Sequence, residues 1–338
     1  MKNSLNTIFL HIGAGKTGTT AIQATIPLMR RNLEEAGVRA PLDPGVPSEL
    51  EFRPRVGSGF SFSLAKLLNP GFKNSIPLGA EETWNWLEIE FKKAQNESLN
   101  LLFSSEALQF ARETQLQAFK ELADRHDFQI KAIFYARTAL DYSISEYLQH
   151  LKTGFTAYPN KNIPTALSSY IATAVVPFGT TLSNFSRVFG RQGLDVRSYD
   201  AAKSSLLDNF FTAVTGNIQK IPKTSQRNRS LTRNEQEALE SLLQCENGSE
   251  LCKRIGNKLI QTPSPKDASR TFFVDEESLQ KFISNNRPIV EVVNEYLPLD
   301  QQISTITDDS PVTTKCGDDY KPDWHSTYRT IIETLLQQ

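Results

Sequence analysis

Apolar positions fall along the chain in two patterns that alternate. A compact β-rich run at residues 7–12 stops at Gly13, and residues 19–36 then follow a helical spacing, so strand, glycine-containing loop and helix open a βαβ unit. Residues 81–95 carry Trp84, Leu87 and Phe91 on one helical face, and 99–103 form a second apolar strand ending in Ser104-Ser105-Glu106. An amphipathic helix is expected over 108–126, a strand over 130–135 running into Arg137, and a helix over about 140–152. A fourth strand at 194–199 and a helix at 206–214 complete the alternation, which predicts a parallel sheet with helices on both faces.

Two regions break this rhythm. Residues 39–78 are rich in Pro, Gly, Ser and Phe, with no sustained period, and read as a long excursion holding at most short helices; such an excursion is more often functional than idle. Beyond Lys220 the pattern is mostly helical, with breaks at Pro263 and Pro265. The organisation expected is one domain over residues 1–338: a core over about 6–231, an acceptor-side excursion over about 39–80 and a helical C-terminal elaboration over about 231–338.

Composition narrows the function classes. The 338 residues carry 37 Lys+Arg against 38 Asp+Glu, which excludes a protein that coats nucleic acid or anionic membrane through bulk charge. An anionic small ligand needs only a few local cations and stays open. With 39% hydrophobic residues and 20 Phe the chain has material for a large core. No stretch reaches the about 18 apolar residues of a membrane span, and a soluble, cytoplasmic protein is expected. Cys245, Cys252 and Cys316 are too scattered for a disulfide scaffold and Cys245 and Cys252 read as free thiols; with the four His dispersed, no zinc pattern appears.

The loop Gly13-Ala14-Gly15-Lys16-Thr17-Gly18-Thr19-Thr20 sits where unpaired amides at a helix start favour an anion. Small residues at Gly13, Gly15 and Gly18 let the backbone approach a phosphate, Lys16 adds a mobile charge, and Thr17, Thr19 and Thr20 add hydroxyls. Gly15-Lys16-Thr17 matches the second half of a nucleotide-hydrolysing P-loop, but the first glycine of that motif would fall on Leu10, and no apolar strand ends in an Asp suited to Mg²⁺. Farther on, Arg137 at the end of a strand offers bidentate donors to a phosphate, and Ser145, eight residues later, lies about two helical turns along the next element.

Together these segments resemble the PAPS-dependent sulfotransferases of bacterial and carbohydrate-modifying type. His11-Ile12-Gly13-Ala14-Gly15-Lys16-Thr17-Gly18-Thr19-Thr20 is similar to their phosphosulfate loop, with Gly15 where many relatives carry Pro or another residue. Arg137 and Ser145, with Tyr147, Gln149 and Lys152 following, are similar to their second signature, although Thr138-Ala139 replaces a frequent Asn-Pro. The segment Arg227-Asn228-Arg229-Ser230-Leu231 resembles one that in relatives folds back over the nucleotide, so the resemblance implies a nucleotide role for Arg227 and Ser230. It covers residues 8–152 well and fades towards 231.

The resemblance implies a P-loop-like α/β fold and metal-free transfer of the sulfuryl group of PAPS to a hydroxyl or amine, leaving PAP. The acceptor expected is a carbohydrate, a glycolipid or a small metabolite. Lys16 would stabilise the leaving phosphate oxygen, while Arg137 and Ser145 would grip the 3′-phosphate. Glu106, just past the second strand, holds the topological place of the general base, with His11 and His150 as rivals. The alternatives are an ATP/Mg²⁺-dependent small-molecule kinase and a PAP-binding protein whose catalysis has lapsed.

Overall fold

The computed structural model describes residues 5–44, 61–71, 78–155, 164–217, 221–222, 229–261, 269–314 and 331–332. In chain order its elements are β1 (Asn6–Ile12), α1 (Thr19–Thr25), α2 (Arg30–Glu35), β2 (Val38–Arg39), α3 (Phe62–Leu68), α4 (Ala80–Glu97) and β3 (Asn100–Ser105). There follow α5 (Glu113–Arg125), β4 (Phe128–Ala136), α6 (Ala139–Lys152), α7 (Leu167–Thr173), α8 (Phe178–Phe189), β5 (Leu194–Ser198), α9 (Tyr199–Ala202) and α10 (Leu206–Thr215). The chain continues with α11 (Arg233–Leu243), α12 (Gly248–Leu259), β6 (Phe272–Phe273), α13 (Glu276–Asn294) and β7 (Val312–Thr313). None of the described helices is long and apolar enough to cross a membrane.

Two compact units are built from this chain. The first comprises Met1–Arg137, Pro177–Thr224 and Glu291–Ile303. Its centre is a five-stranded, all-parallel sheet in the order β2-β3-β1-β4-β5. The apolar runs expected as strands are those strands. The inner strands β1, β3 and β4 carry apolar runs because a parallel sheet is covered on both faces, whereas the edge strand β5 alternates buried Leu194 and Val196 with half-buried Asp195 and Arg197. One cover packs Ile22, Ile26, Met29 and Leu33 with Leu206, Phe210 and Phe211 against strand residues such as Leu102 and Ile133. Elsewhere in the unit Phe91 stands edge-on to Phe119 at 5.8 Å and tilted against Phe128 at 5.5 Å, and Phe134 meets Phe178 at 5.6 Å.

Several boundaries differ from the periodic expectation, each for a local reason. The helical stretch 19–36 is split because Pro27 brings no N–H: α1 stops after seven residues, a tight turn spans Pro27–Met29, and α2 follows. The helix expected from 108 begins at Glu113, because Glu106–Phe110 forms a tighter 3₁₀ turn capped by the Ser105 hydroxyl. Ala111 and Arg112 are then extended, and the Arg112 amide donates to the Leu68 carbonyl. Within the excursion lie a two-residue edge strand, β2, and the short helix α3. Residues 45–60 and 72–77, with Phe52, Phe60 and Phe72, lie outside the described residues.

The second unit comprises Thr138–Val176, Ser225–Val290 and Ser304–Gln338. It is mainly helical, as expected of the C-terminal part, but also pairs β6 with β7 in parallel, two strands too short to leave a period in the sequence. The α6 amides of Ala139 and Leu140 donate to the carbonyls of Ser304 and Thr305. On α6, Tyr147 lies 5.2 Å from the Tyr170 ring and donates its hydroxyl to Glu240. Gly256 brings α12 close to the α6 backbone: a Cβ there would stand 2.9 Å from Lys152 Cα.

Candidate functional site

The site is built at the carboxyl end of the first unit's sheet. Chain leaving β1 runs towards β2 on one side, while chain leaving β4 runs to β5 on the other. β1 and β4 therefore flank the point where strand order reverses, the place where open α/β sheets bind ligands. The loop after β1 and Arg137 after β4 both open there.

Register decides which residues meet. Ile12 pairs with Ser105 of β3, so Gly13 and Glu106 stand level, and the Gly13 amide extends the ladder by donating to the Ser105 carbonyl at 3.1 Å. No side chain fits at Gly13, where a Cβ would lie 2.7 Å from Thr19 Cγ2 and 3.1 Å from Glu106 Cα. On the other side Ile12 pairs with Phe134, so β4 runs past β1 and Arg137 sits three positions, about 10 Å, beyond it. That is the height of the loop, and there the Arg137 Nη1–H donates to the Lys16 carbonyl at 3.1 Å across a separation of 121 residues. Lys16 holds φ 67° and Gly18 φ 76°, so two left-handed residues turn the loop into α1. At Gly18 a Cβ would collide with Leu206 Cδ2 at 2.1 Å.

The threonines divide their work otherwise than expected. The buried Thr17 hydroxyl donates to the Ala14 carbonyl at 2.6 Å and braces the loop from inside. Thr19, also buried, donates its hydroxyl to Glu106 Oε1. Of the three, Thr20 is the exposed one. With α1 only seven residues long, its dipole is small.

Ser145, Ser230 and His150 belong to the second unit; Ser145 is half-buried, Ser230 is exposed, and His150 stacks on Phe155 at 5.8 Å. Arg227 lies outside the described residues, whereas Arg229 is clamped by both carboxylate oxygens of Glu235 at 2.6 and 2.8 Å. His11 is fully buried in β1, its Nδ1 hydrogen-bonded with the Ser104 hydroxyl at 2.7 Å and its ring 4.9 Å from Phe210. Burial pulls its pKa down to about 3, so the ring is a neutral core group at ordinary pH. Among the described residues no cluster of His, Cys, Asp and Glu is arranged to hold a metal ion.

Two residues at the site escaped the sequence reading. The Arg137 guanidinium lies 5.3 Å from the centroid of the Tyr199 ring, and its Nε is 3.9 Å from Asp200 Oδ1. Burial pushes the Tyr199 phenol up, the Arg137 charge opposes it and Asp200 adds a lesser push upward, so it stays protonated. Their signal was their place directly after β5, whose Ser198 pairs with Ala136 and so sets Tyr199 level with Arg137.

No protein-family model matches this chain, and neither does any curated protein. Among solved structures, a sulfotransferase from Alicyclobacillus acidocaldarius is 13% identical with a TM-score of 0.36, the match covering 77% of this chain and 98% of that one. The sulfotransferase domain from the curacin biosynthetic pathway is 10% identical with a TM-score of 0.35, over 64% of this chain and 76% of its own. A mouse sulfotransferase solved in complex with PAP is 10% identical with a TM-score of 0.33, over 98% and 83%. Function therefore has to be argued from the residues.

Proposed function

We propose that this protein is a sulfotransferase that moves the sulfuryl group of PAPS to a hydroxyl or amine of an acceptor, a carbohydrate, a glycolipid or a small metabolite, and releases PAP. The observation that carries the reading is the hydrogen bond from Arg137 to the Lys16 carbonyl. It joins the two segments on which the sulfotransferase resemblance rests, at the reversal point of the sheet.

Each residue then has a task. The loop amides and the Lys16 ammonium take the phosphosulfate end, and a Cβ at Gly15 would meet no atom of the described residues within 4 Å, so among these the loop backbone leaves room for an anion there. The Arg137 guanidinium takes the second phosphate. As the acceptor oxygen or nitrogen bonds to sulfur, the bridging S–O bond breaks and its electron pair goes to the phosphate oxygen of PAP. The Lys16 charge offsets that developing charge. The acceptor proton passes to the Glu106 carboxylate, which the Thr19 hydroxyl orients through one of its oxygens. In-line transfer of this kind needs positioning and electrostatics more than covalent chemistry by the protein.

Metal-free incubation with sulfur-labelled PAPS and a panel of sugar, glycolipid and small hydroxyl or amine acceptors tests the reading. Label transfer is expected, and Lys16→Ala should lower it about 10²–10³-fold. Glu106→Gln should keep PAP affinity while turnover falls about 10²–10⁴-fold. Binding of ATP with Mg²⁺ and none of PAP would overturn the proposal in favour of a kinase.

A further inference from the structure

We infer that Tyr199 and Asp200 are positioning residues that act on the phosphate loop through Arg137. The inference deepens the function proposed above and rests on it for its PAP arm only.

Three contacts form one relay at the end of β5. The face of the Tyr199 ring carries the Arg137 guanidinium, 5.3 Å from the ring centroid, a distance at which the ring quadrupole attracts a cation. The same ring reaches the loop itself, since a Cβ on Gly18 would lie 3.4 Å from Tyr199 Cε2. Asp200 Oδ1 stands 3.9 Å from Arg137 Nε, and Nη1 of the same guanidinium donates to the Lys16 carbonyl at 3.1 Å. The guanidinium side chain is only 15% exposed, so its orientation is set by these neighbours rather than by water.

The loop needs such support. Lys16 is a side-chain-bearing residue at φ 67°, a left-handed conformation that is disfavoured unless the surroundings hold it. Arg137 holds it through the carbonyl of that very residue. The phenol plays no part in the chemistry; the ring is what the relay requires. Asp200, half-exposed and at a longer distance, contributes less.

Hydrogen exchange at the amides of residues 16–19 in the ligand-free full chain reads the relay without any substrate. Tyr199→Leu should speed exchange about fivefold, as expected for loss of a cation–π contact. Tyr199→Phe should restore the wild-type rate, and Asp200→Asn should change it less than twofold. In an Arg137→Ala background Tyr199→Leu should add nothing further. With PAPS, Tyr199→Leu should raise KM about fivefold and lower kcat by less than that. Unchanged exchange in Tyr199→Leu, or effects of Tyr199→Leu and Arg137→Ala that multiply, would overturn the relay. A wild-type chain that binds no PAP would instead sink the proposed function, while the exchange measurements still decide the relay.

Discussion

Arg137 and Arg229 both sit beside the start of a helix, and both lie in segments whose sequence resembles nucleotide-binding ones. Their surroundings differ. Arg137 points a guanidinium edge at a main-chain carbonyl, lies on an aromatic face, and has its carboxylate, Asp200, at 3.9 Å. Arg229 is forked onto Glu235 at 2.6 and 2.8 Å, and also donates to the Leu259 carbonyl at 2.5 Å. Glu235 in turn closes the capping box of α11 with Thr232. One arginine keeps its carboxylate at a distance; the other has its charge matched by a buried carboxylate and ties three segments of the second unit together.

Exchanging the roles experimentally gives the largest effects. Arg137→Ala should weaken PAP binding about 10–100-fold, from loss of charge-assisted hydrogen bonds, with little change in thermal midpoint. Arg229→Ala should do the reverse: breaking a buried ion pair costs about 3–5 kcal/mol of stability, read by denaturant unfolding, while PAP affinity of the folded protein holds. Equal losses of affinity in both variants would erase the distinction.

A smaller effect comes from the neutral histidine beneath the loop. His11 has a folded pKa of about 3 against about 6.5 when unfolded, so the unfolded chain binds the extra proton between those values. Stability is therefore full above pH 6.5 and falls as pH drops towards 3, by about 2 kcal/mol at pH 5. His11→Gln, which can still meet Ser104, should flatten that slope; urea unfolding from pH 7 to 5 measures it.

The smallest effect sharpens the structural character of the second unit. Burial pushes the Cys252 thiol up to about 12, and its Sγ–H donates to the Leu239 carbonyl at 3.1 Å, whereas Cys245 is exposed. Iodoacetamide at pH 8 should label Cys245 in the native protein and Cys252 only after unfolding, as peptide mass mapping would show.

Much of the first unit was legible before any coordinates. Strands β1, β3 and β4 announce themselves by compact apolar runs such as Ile8-Phe9-Leu10 and Leu101-Leu102-Phe103, while β5 shows only the alternation of buried Leu194 and Val196 with Asp195 and Arg197. Helix ends were less legible. The break at Pro27 fell inside a stretch read as helical throughout, and the 3₁₀ turn at Glu106–Phe110 follows from Ser105 capping and from the Leu68 carbonyl holding Arg112. The same limit applied to hydroxyls: Thr17 and Thr19 look like Thr20 in the sequence, and only the fold turns two of them inwards.

By itself the sequence determined the alternation of strand and helix, the glycines that a tight loop requires, and the cations available to an anion. These are local properties, carried by side-chain type and spacing. The tertiary structure alone decided that β1 and β4 lie side by side, that β4 extends two residues past β1 with Arg137 just beyond, and that Tyr199 arrives level with Arg137. Strand order and register depend on contacts between segments up to more than a hundred residues apart, and no local pattern encodes them.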